Sequence, residues 1–196
     1  MNLFQNPFYV LGVSARATSQ EIYEVYDKKI LSKDPELCRN ARTILTHPRK
    51  RLNAEIAWLP GLSPSKSIGL INKIESDRQH VVDSFPTLPP LSRCNLIASF
   101  LIQTTPSNLD EWIHYITKTF DLVDNSRVLR LINEDRTVAG IPPIQDINQI
   151  ENELQDHFNY IVSAMRGCLN RLPDPDIIFT KVVEKRQQME QNKLLS

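Results

Sequence analysis

Glycine is scarce, at five in 196 residues, cysteine numbers only three, and alternating β-branched stretches are almost missing. Without a Gly-rich phosphate loop or a G-x-S-x-G elbow, the chain offers neither a P-loop nor a hydrolase nucleophile. Cys38, Cys94 and Cys168 form no C-x-x-C pair and fall inside apolar helical patterns, so they read as small core residues in a reducing compartment. No apolar run approaches the roughly 18 residues of a membrane span, and the start lacks a basic-then-apolar leader. Asn-x-Ser/Thr acceptors are absent as well, and the expectation is a cytoplasmic chain without membrane contact. Net charge is also lacking, with 23 basic against 23 acidic residues. Residues 1 to 61 nevertheless hold nine Lys/Arg against six Asp/Glu, and the remainder carries the balancing acid. An offset of this size fits an interaction surface or front-to-back docking, and it disfavours nucleic acid, which needs a strongly basic face.

What is present in quantity is proline, thirteen residues that punctuate a series of amphipathic stretches. The fold class is therefore all-α, with prolines opening and closing helices. Thr18 with Glu21 makes a capping box before Ile22, Val25, Tyr26 and Ile30 on one face. Asp34 and Pro35 open a second stripe, Leu37, Ala41, Ile44 and Leu45, and the two helices form a hairpin. Pro48 starts another, with Leu52, Ile56 and Leu59, stopped by Pro60-Gly61. Ser63-Pro64-Ser65 is a linker too short for independence, so the units 1–61 and 66–196 are expected to touch.

In the second unit, Ile68, Ile71, Ile74, Val81, Val82 and Phe85 predict one helix ended by the prolines from Pro86 to Pro90. Leu96, Ile97, Phe100 and Leu101 predict a buried helix. Ser107 to Asp110 resembles a capping-box start for Leu109, Trp112, Ile113, Ile116 and Phe120, and Asp124 or Asn125 starts Val128, Leu131 and Ile132 before Gly140 and Pro142-Pro143. The longest pattern runs from Ile147 to Leu172. Beyond Asp174 and Asp176, read as helix-start acids, come Ile177, Ile178, Val182 and Val183, then a polar run from Glu184 to Lys193 that frays or needs a partner.

Nothing asks for an enzyme. Glu111-Trp112-Ile113-His114 matches the Glu-x-x-His of di-iron bundles but has no second copy, and Glu153 with His157 at i,i+4 reads as a surface pair. No catalytic residue, metal or cofactor is expected.

Asn6-Pro7-Phe8-Tyr9-Val10-Leu11-Gly12-Val13 and Thr46-His47-Pro48-Arg49-Lys50-Arg51-Leu52-Asn53-Ala54-Glu55 bracket the hairpin. In order and spacing they resemble the DnaJ-family J-domain, whose first helix carries aromatic-x-x-Leu-Gly-Val and whose last opens on Pro-x-x-Arg. The resemblance covers residues 6 to 61. It implies a helix I of Phe8, Tyr9 and Leu11 across the hairpin of Ile22, Tyr26, Ile44 and Leu45, with Gly12 allowing a tight exit. The His-Pro-Asp tripeptide that stimulates a DnaK-type ATPase is replaced by Ile30-Leu31-Ser32-Lys33-Asp34-Pro35-Glu36. Glu21, Glu24 and Asp27 interrupt the basic face of helix II, and Ala54-Glu55 stands in place of the family's Tyr-Asp.

Two functions follow. The first is a non-catalytic J-like adaptor that binds a DnaK-type chaperone, another J-protein or a client without stimulating hydrolysis. The second is a helical assembly module reusing the scaffold for a non-chaperone partner. The candidate interaction surface is Lys28, Lys29, Lys33, Asp34, Arg39, Arg42, Arg49, Lys50 and Arg51, with Arg51 and Glu55 expected as a surface pair. Exposed apolar patches are sought around Trp58, Leu59 and Leu62, or along Trp112 and Tyr115.

Overall fold

Prolines open helices throughout the protein, and the reason is local. A computed structural model describes residues 1–31, 34–103 and 109–171, the side chains of 109–111 excepted. Pro7, Pro35, Pro48, Pro64 and Pro90 each occupy the first position of a helix, where the missing N–H has no intrahelical partner to lose. The first four helices are α1 (Pro7–Leu11), α2 (Ser19–Lys29), α3 (Pro35–Thr46) and α4 (Pro48–Ile56). Then follow α5 (Pro64–Ser76), α6 (Arg78–Ser84), α7 (Pro90–Gln103), α8 (Leu109–Phe120), α9 (Asn125–Val138) and α10 (Ile147–Leu169). Among the described residues there is no strand, and the molecule is an all-α bundle.

Side-chain caps set the starts of α1, α2 and α3. Asn6 Oδ1 accepts from the Phe8 N–H at 3.0 Å while its Nδ2 donates to the Ala54 carbonyl at 2.8 Å, fastening α1 to α4. Thr18 and Glu21 form the reciprocal capping box of α2, and the backbone N–H of Thr18 holds the Glu21 carboxyl below its usual range. Asp34 Oδ1 accepts from Glu36 and Leu37 at 2.9 and 3.2 Å, so this acid is the cap of α3. Gly12 ends α1 at φ 66°, a left-handed conformation that a side chain disfavours.

Two of the expected elements differ. The stripe from Ile68 to Phe85 is broken at Asp77 (φ −148°, ψ 72°), which leaves helical geometry to accept from the His80 N–H at 3.2 Å and so divides α5 from α6. In α3 the inward face is Cys38, Ala41 and Leu45, whereas Leu37 is 46% exposed and Ile44 only half-buried. The pattern slips by one residue because Cys38 is small and apolar enough to take the core position. The helix beginning at Ile147 runs to Leu169 and is capped at Asn170. The cap of α8 around Ser107, the Asp174–Asp176 pair and the segment from Ile177 to Lys193 lie outside the described residues.

Pro64 and Ser65, expected in a linker, are the first residues of α5, because Ser63 caps it by accepting from the Lys66 N–H at 3.4 Å. One hydrophobic core runs through residues on both sides of the connection between α4 and α5, from Leu3 and Phe8 to Leu96, Ile97 and Ile161. α1 packs on α3, and α10 packs on both α7 and α4. Polar bonds stitch the same seam: the Leu3 N–H donates to Ser99 Oγ at 3.3 Å and Ser92 Oγ to the Pro60 carbonyl at 2.8 Å. Trp58, Leu59 and Leu62 lie inside this core, so the exposed patch sought there does not exist. All three cysteines are buried thiols, and burial pushes the Cys94 thiol up to about 12.

Candidate functional site

Arg51 is the last residue of the Pro-x-x-Arg phrase and has no exposed surface at all. Its Nε donates to Glu55 Oε1 at 2.9 Å, one Nη to the Leu45 carbonyl at 3.1 Å and the other to the Ala15 carbonyl at 2.7 Å. Its guanidinium also lies 5.2 Å from the centre of the Phe8 ring. One side chain thereby ties α4 to the end of α3, to the α1–α2 connection and to α1. The i,i+4 pair with Glu55 is accordingly a core element and not the surface pair its spacing suggests, because Phe8 and the two backbone segments close over it. Arg51 also leaves the expected interaction surface for the same reason.

The other oxygen of Glu55 accepts from Arg136 of α9 at 2.8 Å, and Arg136 further donates to the carbonyls of Pro48 at 2.9 Å and Pro142 at 3.2 Å. Beside it, Asp135 takes a bond from Arg16 at 2.7 Å. The centre thus holds three guanidiniums and two carboxylates, with hydrogen bonds meeting the directional needs of each ion. Burial pushes the Glu55 carboxyl up against the pull of Arg136 and Arg51, and burial lowers Arg51 against the pull of Glu55. Its chemistry is structural, since the Nε and both Nη atoms of Arg51 and of Arg136 donate to the protein.

The remaining residues of the expected surface separate into two groups. Lys28, Asp34 and Arg39 are exposed at or near the end of the hairpin where α2 meets α3; Lys33 lies outside the described residues. Arg49 and Lys50 are exposed at the opposite end of α3, in the first turn of α4. Twelve helical residues place the two groups about 18 Å apart. Lys29 is half-buried and points its ammonium at the Val10 carbonyl, 3.4 Å away. Arg42 is half-buried too, its guanidinium 4.3 Å above the Tyr26 ring and 5.4 Å from that of Tyr23. That geometry is a cation–π contact on α2, which pins the charge against the hairpin.

Sequence reasoning missed the apolar part of this tip. Leu31 is 88% exposed, Leu37 46% and Tyr23 47%, all on the hairpin and interleaved with Lys28 and Asp34. Leu31 in the replaced tripeptide loop was the available signal, an apolar residue just past the last turn of α2 and followed by the polar Ser32, Lys33 and Asp34. Trp112 and Tyr115, by contrast, are half-buried and wall a groove with Val82, Phe85 and Pro86.

His157 also departs from expectation. It is buried, and its Nε2 lies 2.6 Å from Asn95 Oδ1 in place of a surface pair with Glu153. Asn95 Nδ2 donates to the carbonyls of Ile56 and Trp58, which leaves Oδ1 as an acceptor and places the imidazole proton on Nε2. Burial, with the N-terminal ammonium second, pushes its pKa down to about 3, so the ring is neutral. Glu153 instead accepts from Asn53 at 3.1 Å. The carboxylate of Glu111 lies outside the described side chains, and no group of three potential metal ligands gathers among the described residues. No described helix is long and apolar enough to cross a membrane.

Compared with protein-family models, with curated proteins and with solved structures, the chain matches none.

Proposed function

We propose that the protein is a non-catalytic J-domain-like adaptor or regulator that binds a DnaK-type chaperone, a J-protein or a client through the tip of the α2–α3 hairpin, without stimulating ATP hydrolysis. The observation that carries this reading is the meeting of the two bracketing phrases. Phe8 from Asn6–Val13 and Arg51 from Pro-x-x-Arg face each other at 5.2 Å, with α1 packed on α3. The residues whose order and spacing carry the resemblance are thus among those that hold the hairpin unit together.

The loss of stimulation follows from the loop. Asp34 is engaged as the cap of α3 and no His-Pro precedes it, so no residue there reproduces the His-Pro-Asp tripeptide. What the tip offers is contact: exposed leucines ringed by Lys28, Asp34 and Arg39, the mixture of apolar anchor and polar rim from which protein interfaces are built.

The test is calorimetric titration of the full chain into a purified DnaK-type ATPase, with single-turnover hydrolysis measured alongside. The reading expects binding, turnover at the basal rate, and a loss of about tenfold in affinity, ~1.4 kcal/mol, for Leu31→Asp with Lys28→Glu. Absence of binding, or stimulation equal to that of a J-protein with the tripeptide, overturns it. The second reading, an assembly module for a non-chaperone partner, draws on the core shared between the hairpin and α5 to α10, which makes one platform of both. Affinity purification dominated by a non-chaperone complex would favour it.

A further inference from the structure

The ion centre between α4 and α9 does not balance. Asp135 is matched by Arg16, but Glu55 is one carboxylate between two guanidiniums, those of Arg51 and Arg136, so one positive charge is left over. Arg136 carries that charge to a cavity. It is only 3% exposed, yet it lines a pocket of about 210 Å³ between the first turn of α4 and the α9–α10 connection. Its Nη1 gives one N–H to the Pro142 carbonyl and, because that nitrogen carries two, keeps another.

The lining of this pocket is one-sided in charge. Arg49 adds a second guanidinium, Gln145 and Gln149 add amides, and among the described residues no carboxylate lines it. None of these three side chains has a hydrogen-bond or ion-pair partner among the described residues. Leu52 and Ile144, both buried, give the pocket an apolar side. Its wall is also held in shape, since Asn133 Nδ2 donates to the Ile144 carbonyl at 2.9 Å and the Ile144 N–H donates to Asn133 Oδ1 at 2.8 Å. A site shaped in advance loses little on being filled. Arg49, in the first turn of α4, is a cation at the positive end of a helix dipole, and an anion beside it would remove that conflict.

We propose that this pocket binds a small organic anion, a carboxylate or phosphate on a short aliphatic body. The oxyanion meets Arg49 and the spare N–H of Arg136, as guanidiniums meet carboxylate and phosphate oxygens, and its charge offsets the excess of the ion centre. The aliphatic body lies against Leu52 and Ile144, and Gln145 and Gln149 close the rim. This inference is independent of the chaperone reading, whose contact residues Lys28 and Asp34 lie about 18 Å away along α3.

The experiment titrates the full chain, isotopically labelled for amide NMR, at an ionic strength held constant with sodium chloride. The probes are acetate beside butyrate and ethyl phosphate beside butyl phosphate, each pair differing by two methylenes. Saturable shifts are expected at the amides of Arg49, Lys50, Gln145 and Gln149, with the butyl-length head of the better pair bound about tenfold more tightly than its shorter partner. A tighter butyrate assigns a carboxylate head, and a tighter butyl phosphate a phosphate head. Arg49→Gln and Gln149→Glu, both exposed positions whose exchange leaves the ion centre intact, should each weaken that ligand about tenfold, whereas Leu31→Asp should not change it. Absence of saturation by about 50 mM of every probe overturns the proposal, as do equal affinities within both pairs or an Arg49→Gln variant that binds like the parent.

Discussion

Arg136 of α9 donates to Glu55 of α4 at 2.8 Å, joining residues 81 positions apart in the chain. Glu55 is also bound by Arg51, so one buried carboxylate couples the hairpin unit to the later helices. Removing it leaves two guanidiniums facing each other without an anion between them. Glu55→Ala should lower the unfolding free energy by roughly 3–5 kcal/mol, the range for breaking a buried ion pair on one side. Urea denaturation followed by circular dichroism measures this, and a loss below about 1 kcal/mol would show that the centre is hydrated.

His157 gives the protein a built-in acid sensitivity. Its folded pKa of about 3 lies below the ordinary 6.5, so the unfolded chain takes up a proton that the native one refuses. The contribution is whole above pH 6.5 and is lost as pH falls toward 3, at up to ~1.4 kcal/mol per unit. His157→Gln retains a donor for Asn95 and removes the titration. The slope of stability against pH between 6 and 4.5 should be shallower in this variant by about 1 kcal/mol per unit; parallel slopes would place the sensitivity elsewhere.

Arg49 and Lys50 sit in the first turn of α4, the positive end of the helix dipole, and are exposed. Cations there are unfavourable, so Arg49→Glu with Lys50→Glu should stabilise the protein by about 0.5–1 kcal/mol, read as a rise in the urea midpoint. Should the same variant also lose partner affinity, the charges are kept for binding at a cost in stability.

Gly12 and Gly61 both have positive φ, at 66° and 84°, yet their surroundings differ. A Cβ at Gly12 would meet only the tip of the Lys29 side chain, whereas at Gly61 it would press on Leu131 and Pro89 at 3.0 and 3.1 Å. Gly12→Ala should cost ~1–2 kcal/mol from backbone conformation alone. Gly61→Ala should cost more, and thermal melting of the pair distinguishes the two; equal shifts would mean that Pro89 and Leu131 yield freely.

The three thiols are buried, and Cys94 is held protonated by its surroundings. A thiol reagent at pH 8 should therefore label none of them in the native protein and all three in urea. Rapid native labelling would reveal an opening of the core.

Local signals were legible wherever one residue type has one local use. The capping box of Thr18 and Glu21, the Asp34 cap, Pro35 and Pro48 at helix starts and the stop at Gly140 depend on neighbours within four positions and were readable, whereas Pro64 and Pro90, which also open helices, read as a linker and a stop. Asp77 was missed because it lies in an apolar pattern whose spacing continues across the break, and only its bond to the His80 N–H reveals the cap. The candidate surface was half legible. Lys28, Asp34, Arg39, Arg49 and Lys50 are exposed as charged residues ordinarily are, but Arg51 carries the same charge and is covered completely.

That contrast marks the division between chain and fold. Composition, period and caps by themselves determined an all-α protein, the starts of α2, α3 and α4, and the order of the two phrases around a hairpin. Only the tertiary structure decided that Arg51, Glu55 and Arg136 form one centre, that His157 turns to Asn95 and not to Glu153, and that Leu31 stands in the open. The physical reason is the range of the interaction. Helix propensity and capping act across a few residues, whereas a buried charge is stable only where distant segments deliver every partner it needs.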